Sequence, residues 1–124
     1  MNGNSFLIDS NIILYLLNGD ETLIPLLDEK DLYISFITQL EVLSYPGISE
    51  NEIETVQNFI NECAIVEMSP YIKEHTIKYR RKWKLKLPDA IIAATSSFIN
   101  APLVTADKDF KKLEEDLELI FYQK

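Results

Sequence analysis

Cysteine is nearly absent from this chain, and the single Cys63 excludes an internal disulfide. A reducing cytoplasmic setting suits that usage. One histidine, His75, stands far in sequence from the acidic positions described below, and so does Cys63. The pair cannot make a zinc site of the His/Cys kind. Nor does any Ser/His/Asp or Cys/His arrangement stand out. Three glycines leave no glycine-rich phosphate cradle, and with five prolines they are too few for an interdomain hinge. One domain over residues 1–124 is expected. No apolar run approaches the ~18 residues of a membrane span. The opening "MNGNSFLIDSN" has neither a basic leader nor a long apolar core, which argues against a signal peptide.

Positive charge is also scarce. The formal net charge is −8, which on its face argues against a nucleic-acid partner. The average hides a segregation. Residues 78–86, "KYRRKWKLK", hold Lys78, Arg80, Arg81, Lys82, Lys84 and Lys86, six of the 12 Lys and Arg. Taking those six from −8 leaves −14 on the rest of the chain. Local fields, not net charge, steer a ligand to a cleft.

What the chain does contain is an alternation of short apolar runs and longer amphipathic ones. Strands are expected at 5–8, 32–37, 64–68, 102–105 and 117–122. Helices are expected at 11–19, 21–29, 38–47, 49–63, 70–86, 89–100 and 108–116. Thr38 is the expected N-cap of the third helix, with Glu41 at the capping-box position. Pro88 should block continuation of the long basic helix. Strands separated by helices imply an α/β fold with a mostly parallel sheet, in which ligands bind beyond the carboxyl ends of the strands.

The loops after those strands carry acids. Asp9 follows the first strand, Glu41 lies one turn into the helix after the second, and Asp107 comes two residues past "LVT". Asp89 opens the small-residue helix "DAIIAATSSFIN". Each has a purely structural reading: Asp89 as a helix-start residue, Glu41 as a capping partner, Asp107 and Asp109 as turn residues. Asp9 resists it most, because a carboxylate directly after a buried strand is costly unless paired or bound. Together at one sheet edge these acids repel and take up protons unless a cation compensates. An all-oxygen set suits Mg²⁺ or Mn²⁺.

"FLIDSNIIL", "ITQLEV", "LPDAIIAAT" and "LVTADKDF" resemble, in order and spacing, the motifs of PIN-domain ribonucleases, over residues 5–110. The chain looks most like the small toxins of bacterial VapBC toxin–antitoxin modules. The resemblance implies a three-layer α/β/α sandwich and an Mg²⁺- or Mn²⁺-dependent endoribonuclease. By motif, the metal-binding acids fall on Asp9, Glu41 and Asp89, and the fourth on Asp107, with Asp109 the alternative. Asn11 and Thr105 match polar support positions. An RNA substrate, a cognate antitoxin and a homodimer are the implied partners.

An acidic cluster binds RNA poorly, so the basic run through Arg80, Arg81, Lys82, Lys84 and Lys86 is the candidate RNA path. Tyr79 and Trp83 either stack bases or turn into the core, with the charges left outside. Other classes fit less well. A phosphoacceptor receiver needs an aspartate after its third strand, where this chain has Ser69-Pro70, and a haloacid-dehalogenase-type phosphatase needs D-x-D where it has Asp9-Ser10-Asn11. A non-catalytic RNA-binding module would have no need of acids at all four places.

Overall fold

The computed structural model describes residues 4–123. Five strands form one parallel sheet: β1 (Ser5–Ile8), β2 (Asp31–Ser35), β3 (Ala64–Val66), β4 (Leu103–Thr105) and β5 (Leu119–Phe121), in the order β3-β2-β1-β4-β5. The chain begins in the centre, winds outward to β3, and returns past β1 to β4. The switch point therefore lies between β1 and β4, where open α/β sheets place their ligands. The receiver reading fails here, because its sheet runs 2-1-3-4-5.

β1 is buried along its whole length, so its side chains divide between two cores. Phe6 and Ile8 join Ile12, Ile13, Ile34, Val56 and Val104 on one face. Leu7 joins Leu103, Tyr79, Ile92, Phe110 and Leu113 on the other. The first face is covered by α1 (Ser10–Leu17), the short α2 (Ile24–Leu27), α3 (Phe36–Ser44) and α4 (Glu50–Asn61). The second is covered by the packed pair α5 (Pro70–Trp83) and α6 (Leu87–Ile99). The expected three layers are present. No helix among the described residues is long and apolar enough to cross a membrane.

Several local expectations need correction. The second strand stops at Ser35, and Phe36 and Ile37 belong to α3. Ser35, not Thr38, is the N-cap: its Oγ accepts from Ile37 N–H at 3.1 Å. Sheet register decides this, because Ser35 is the last residue paired to β3, opposite Val66. Thr38 is then buried inside the helix, its Oγ1 without a hydrogen-bond partner among the described residues. Glu41 lies beyond the first turn and forms no capping box.

The expected helix 108–116 is a 3₁₀ segment, Lys108–Leu113. Its buried residues, Phe110 and Leu113, are three apart, the spacing that three residues per turn places on one face. The expected helix 21–29 divides into a 3₁₀ turn, Glu21–Leu23, capped by Asp20, and the single turn of α2. Finally, α5 ends at Trp83 with Lys84 left-handed at φ 56°, which turns Leu85 into the core ahead of Pro88.

The cap assignment is testable by chemical denaturation. Ser35→Ala is expected to lose about 1 kcal/mol of stability, the usual worth of a cap. Thr38→Val removes an unpartnered buried hydroxyl and is expected to hold stability or raise it by about 1 kcal/mol. The opposite ranking would restore Thr38 as the cap.

Candidate functional site

Asp9 is placed by two elements at once. It is the N-cap of α1, with Oδ1 accepting from Ser10 N–H at 2.8 Å. Its own N–H donates to Val104 O at 3.0 Å, which extends the β1–β4 pairing past the strand end. The second carboxylate oxygen, Oδ2, accepts from the buried Thr105 hydroxyl at 2.7 Å. Thr105 Oγ1 also accepts from Asp107 N–H at 3.0 Å, so one hydroxyl holds both acidic loops. Asn11 Oδ1 accepts from Ala106 N–H at 3.5 Å, a second tie between the same loops.

Asp89 enters from α6. The helix starts at Leu87, so Asp89 is its third residue and Lys86 its N-cap; no side chain caps it by a hydrogen bond. Asp89 thus favours the helix only through the dipole. The buried Ala90, Ala93 and Ala94 bring this helix close to the sheet. Carboxylate oxygens of Asp89, Asp107 and Asp109 lie within 4.8 Å of one another. The structure therefore brings both Asp107 and Asp109 to Asp89, where the sequence had left a choice between them. Glu41, exposed on α3, lies close enough to Asp89 to feel its charge, with the Ser10 side chain nearby.

The electrostatics follow from this crowding. Burial pushes the Asp9 carboxyl up to about 6; the charges of Glu41 and Asp107 add to the rise, and the bonds from Thr105 and Ser10 oppose it. Asp89 is also pushed up to about 6, by burial first and then by Asp107, Asp9 and Asp109, with Lys86 opposing. Glu41 is raised by partial desolvation and then by Asp89. Five carboxylates thus share one field at the switch point. Such a set is costly when fully ionised and is relieved by protons or by a cation. All its donors are hard oxygens, which fits Mg²⁺ or Mn²⁺ and not a thiolate-seeking ion.

The basic run divides. Arg80, Arg81, Lys82, Lys84 and Lys86 are all exposed. Lys86 is the member whose charge acts on Asp89. Arg80 Nε donates to Leu85 O at 3.3 Å, and Lys82 pairs with Asp116 at 3.4 Å. The aromatics turn inward: Tyr79 is 5% exposed and its hydroxyl bonds Ser97 Oγ at 2.7 Å. Trp83 is half-buried and donates Nε1–H to Asp116 Oδ2 at 2.8 Å. Burial removes Tyr79 as a stacking platform, and Trp83 keeps only part of its ring exposed. His75 stacks on Tyr71, with centroids 3.8 Å apart, and takes no part in the site.

Sequence reasoning passed over Ser10, whose backbone N–H donates to Asp9 and whose side chain favours the charged form of Glu41. The signal was its place between Asp9 and Asn11, at the first helical position after a carboxylate cap.

The parallel 3-2-1-4-5 sheet with carboxylates clustered at its switch point defines an α/β protein with an acidic site. The profile of the PIN domain family matches residues 6–116, and the chain belongs to that family, a family of nucleases that in general depend on divalent metal ions. Among solved structures it is similar to a toxin–antitoxin complex from Klebsiella pneumoniae at 29% identity and TM-score 0.82, covering 95% of this chain and 98% of that one. It shares its fold with VapBC2 from Rickettsia felis bound to a promoter DNA fragment, at 22% identity and TM-score 0.80, covering 96% and 99% of the two chains. The same holds for VapBC-1 from nontypeable Haemophilus influenzae, at 23% identity and TM-score 0.78, covering 97% and 99%. No curated protein sequence matches the chain.

The sign of the charge effect can be checked without any substrate. An acid raised from its ordinary value to about 6 binds more protons in the folded than in the unfolded state between about pH 4 and 6. Metal-free stability should therefore fall as pH rises through that window. In chelator at pH 8, Asp89→Asn is expected to raise Tm; at pH 5, where Asp89 is largely protonated, the gain should vanish. A lower Tm at pH 8 would mean that the helix dipole outweighs the repulsion.

Proposed function

We propose that this protein is an Mg²⁺- or Mn²⁺-dependent endoribonuclease and the toxin of a type II toxin–antitoxin module. The observation that carries the reading is the convergence of Asp9, Glu41, Asp89, Asp107 and Asp109 on the β1–β4 switch point. The toxin–antitoxin complexes among its structural relatives support a cognate antitoxin as its protein partner.

Asp9, Glu41, Asp89 and Asp107 would hold the ion, with Asp109 beside Asp107 as a further oxygen donor. When bound, a divalent ion supplies a lowered pKa for attacking water and charge neutralisation at the phosphate. The chain's own contribution is to prepare that place. Thr105 and Ser10 clamp both oxygens of Asp9, so its carboxylate does not have to be ordered when substrate arrives. Asp107 is held at two points: its N–H by Thr105, and its Oδ1 by Asp109 N–H at 2.9 Å. Asp107 would be the acid that orients the attacking water and takes its proton. Lys86, exposed at the start of α6, draws the phosphate backbone toward a group of acids that would otherwise repel it.

The test is cleavage of a labelled single-stranded RNA by the purified protein with and without Mg²⁺ or Mn²⁺. Cutting should require the ion and disappear in Asp9→Asn. Thr105→Val, which removes the clamp and keeps the acid, is expected to weaken Mn²⁺ binding about 10- to 100-fold by titration calorimetry. Equal cutting by wild type and Asp9→Asn would trace the activity to a contaminant and remove the reading.

A further inference from the structure

Beside the acids, at the same edge of the sheet, lies a cavity of about 300 Å³ lined by Tyr15, Ala106, Lys108, Phe121, Tyr122 and Gln123. Its location ties it to the site. Ala106 and Lys108 are the residues on either side of Asp107, and Ala106 N–H is the group held by Asn11. Tyr122 follows the carboxyl end of β5, and its N–H donates to Thr105 O at 2.8 Å. Tyr15 comes from α1, the helix that Asp9 caps.

We propose that this cavity is a nucleobase subsite for the nucleotide next to the scissile phosphate, with Tyr15 and Tyr122 as its aromatic walls and Lys108 as its phosphate contact. The inference rests on the ribonuclease reading above. The two rings have centroids 6.2 Å apart and are inclined at 51°, a tilted pair in contact, so a planar guest stacks on the cavity side of this pair and not between its members. The walls are ordered in advance. Tyr122 OH donates to Asp20 Oδ2 at 2.8 Å and also bonds Thr22 Oγ1, which anchors the chain's last strand to the turn after α1. A wall already held loses little freedom on binding. Base–aromatic stacking tolerates any base, and the side-chain amide of Gln123, with two donors and an acceptor, can read a base edge. Lys108 is an exposed cation directly beside the acids, where a phosphate has to pass. With Tyr79 buried and Trp83 half-buried against Asp116, these tyrosines are the aromatic pair beside the acids.

The experiment uses the full chain and a short single-stranded RNA whose cut position has been mapped. RNAs with one abasic ribose at each flanking position are compared for cleavage by wild type and, by fluorescence anisotropy, for binding to Asp89→Asn. One position should lose affinity about tenfold. Adding Tyr15→Leu, which keeps apolar volume and removes the ring, should weaken intact RNA about tenfold and abolish sensitivity at that position. Tyr122→Phe, which keeps the ring, should preserve the sensitivity. Lys108→Ala should lower the salt slope by about one. RNA that is bound and cut with no abasic-sensitive position overturns the subsite and leaves the nuclease standing. A loss in Tyr15→Leu that leaves the abasic sensitivity intact also overturns it. RNA that is neither bound nor cut, with Mg²⁺ or Mn²⁺ present, overturns both readings.

Discussion

The hydrogen bond from the Thr105 hydroxyl to Asp9 Oδ2 joins the ends of the two central strands, and the acidic site is built around it. β1 and β4 run side by side, and their carboxyl ends open into loops that would diverge if nothing held them. Thr105 is fully buried; its hydroxyl donates to Asp9 and accepts from Asp107 N–H. One small side chain thus orders two acids from opposite ends of the chain. It also offsets part of the cost of burying Asp9, whose carboxyl is nonetheless pushed up to about 6. Without such a donor, a carboxylate nearly closed off from water would remain protonated or leave the interior.

The remaining acids are affordable only because different elements deliver them. Asp89 arrives on a helix whose small residues let it lie close to the sheet, and whose positive end faces the group. Glu41 arrives from the solvent side of α3, so it bears less of the burial. Lys86 adds a positive charge at the mouth. The arrangement is a store of repulsion held by packing elsewhere, in the two apolar cores. Such a store is relieved by protons or by a cation, and it differs from an ion pair, which would bring its own compensation.

The acids were legible in the sequence because each follows or precedes an apolar run at a strand or helix end, and in a parallel sheet those ends share an edge. Asp9 and Asp107 could be found from that rule alone, while Asp89 joins them only because α6 points its N-terminus to that edge. The helix caps were less legible. Ser35 and Thr38 are both plausible caps by residue type; the pairing of Ser35 with Val66 across the sheet selects Ser35, and no local pattern contains that pairing. The segment after Asp107 reads as an α-helix from its charges, but the burial of Phe110 and Leu113 three residues apart winds it as 3₁₀. The basic run was visible as charge, while the inward turn of Tyr79 and Trp83 depended on Ser97 and Asp116, which lie far along the chain.

By itself, the order of residues determined the alternation of strands and helices, the parallel sheet, and the presence of acids at its carboxyl edge. These depend on period and spacing, which are local. Tertiary structure alone decided that Asp109 joins Asp89 and Asp107, that Thr105 serves two loops, and that Tyr15 and Tyr122 meet beside Asp107. Each of those contacts brings together residues from separate elements, and their meeting depends on how helices settle on the sheet.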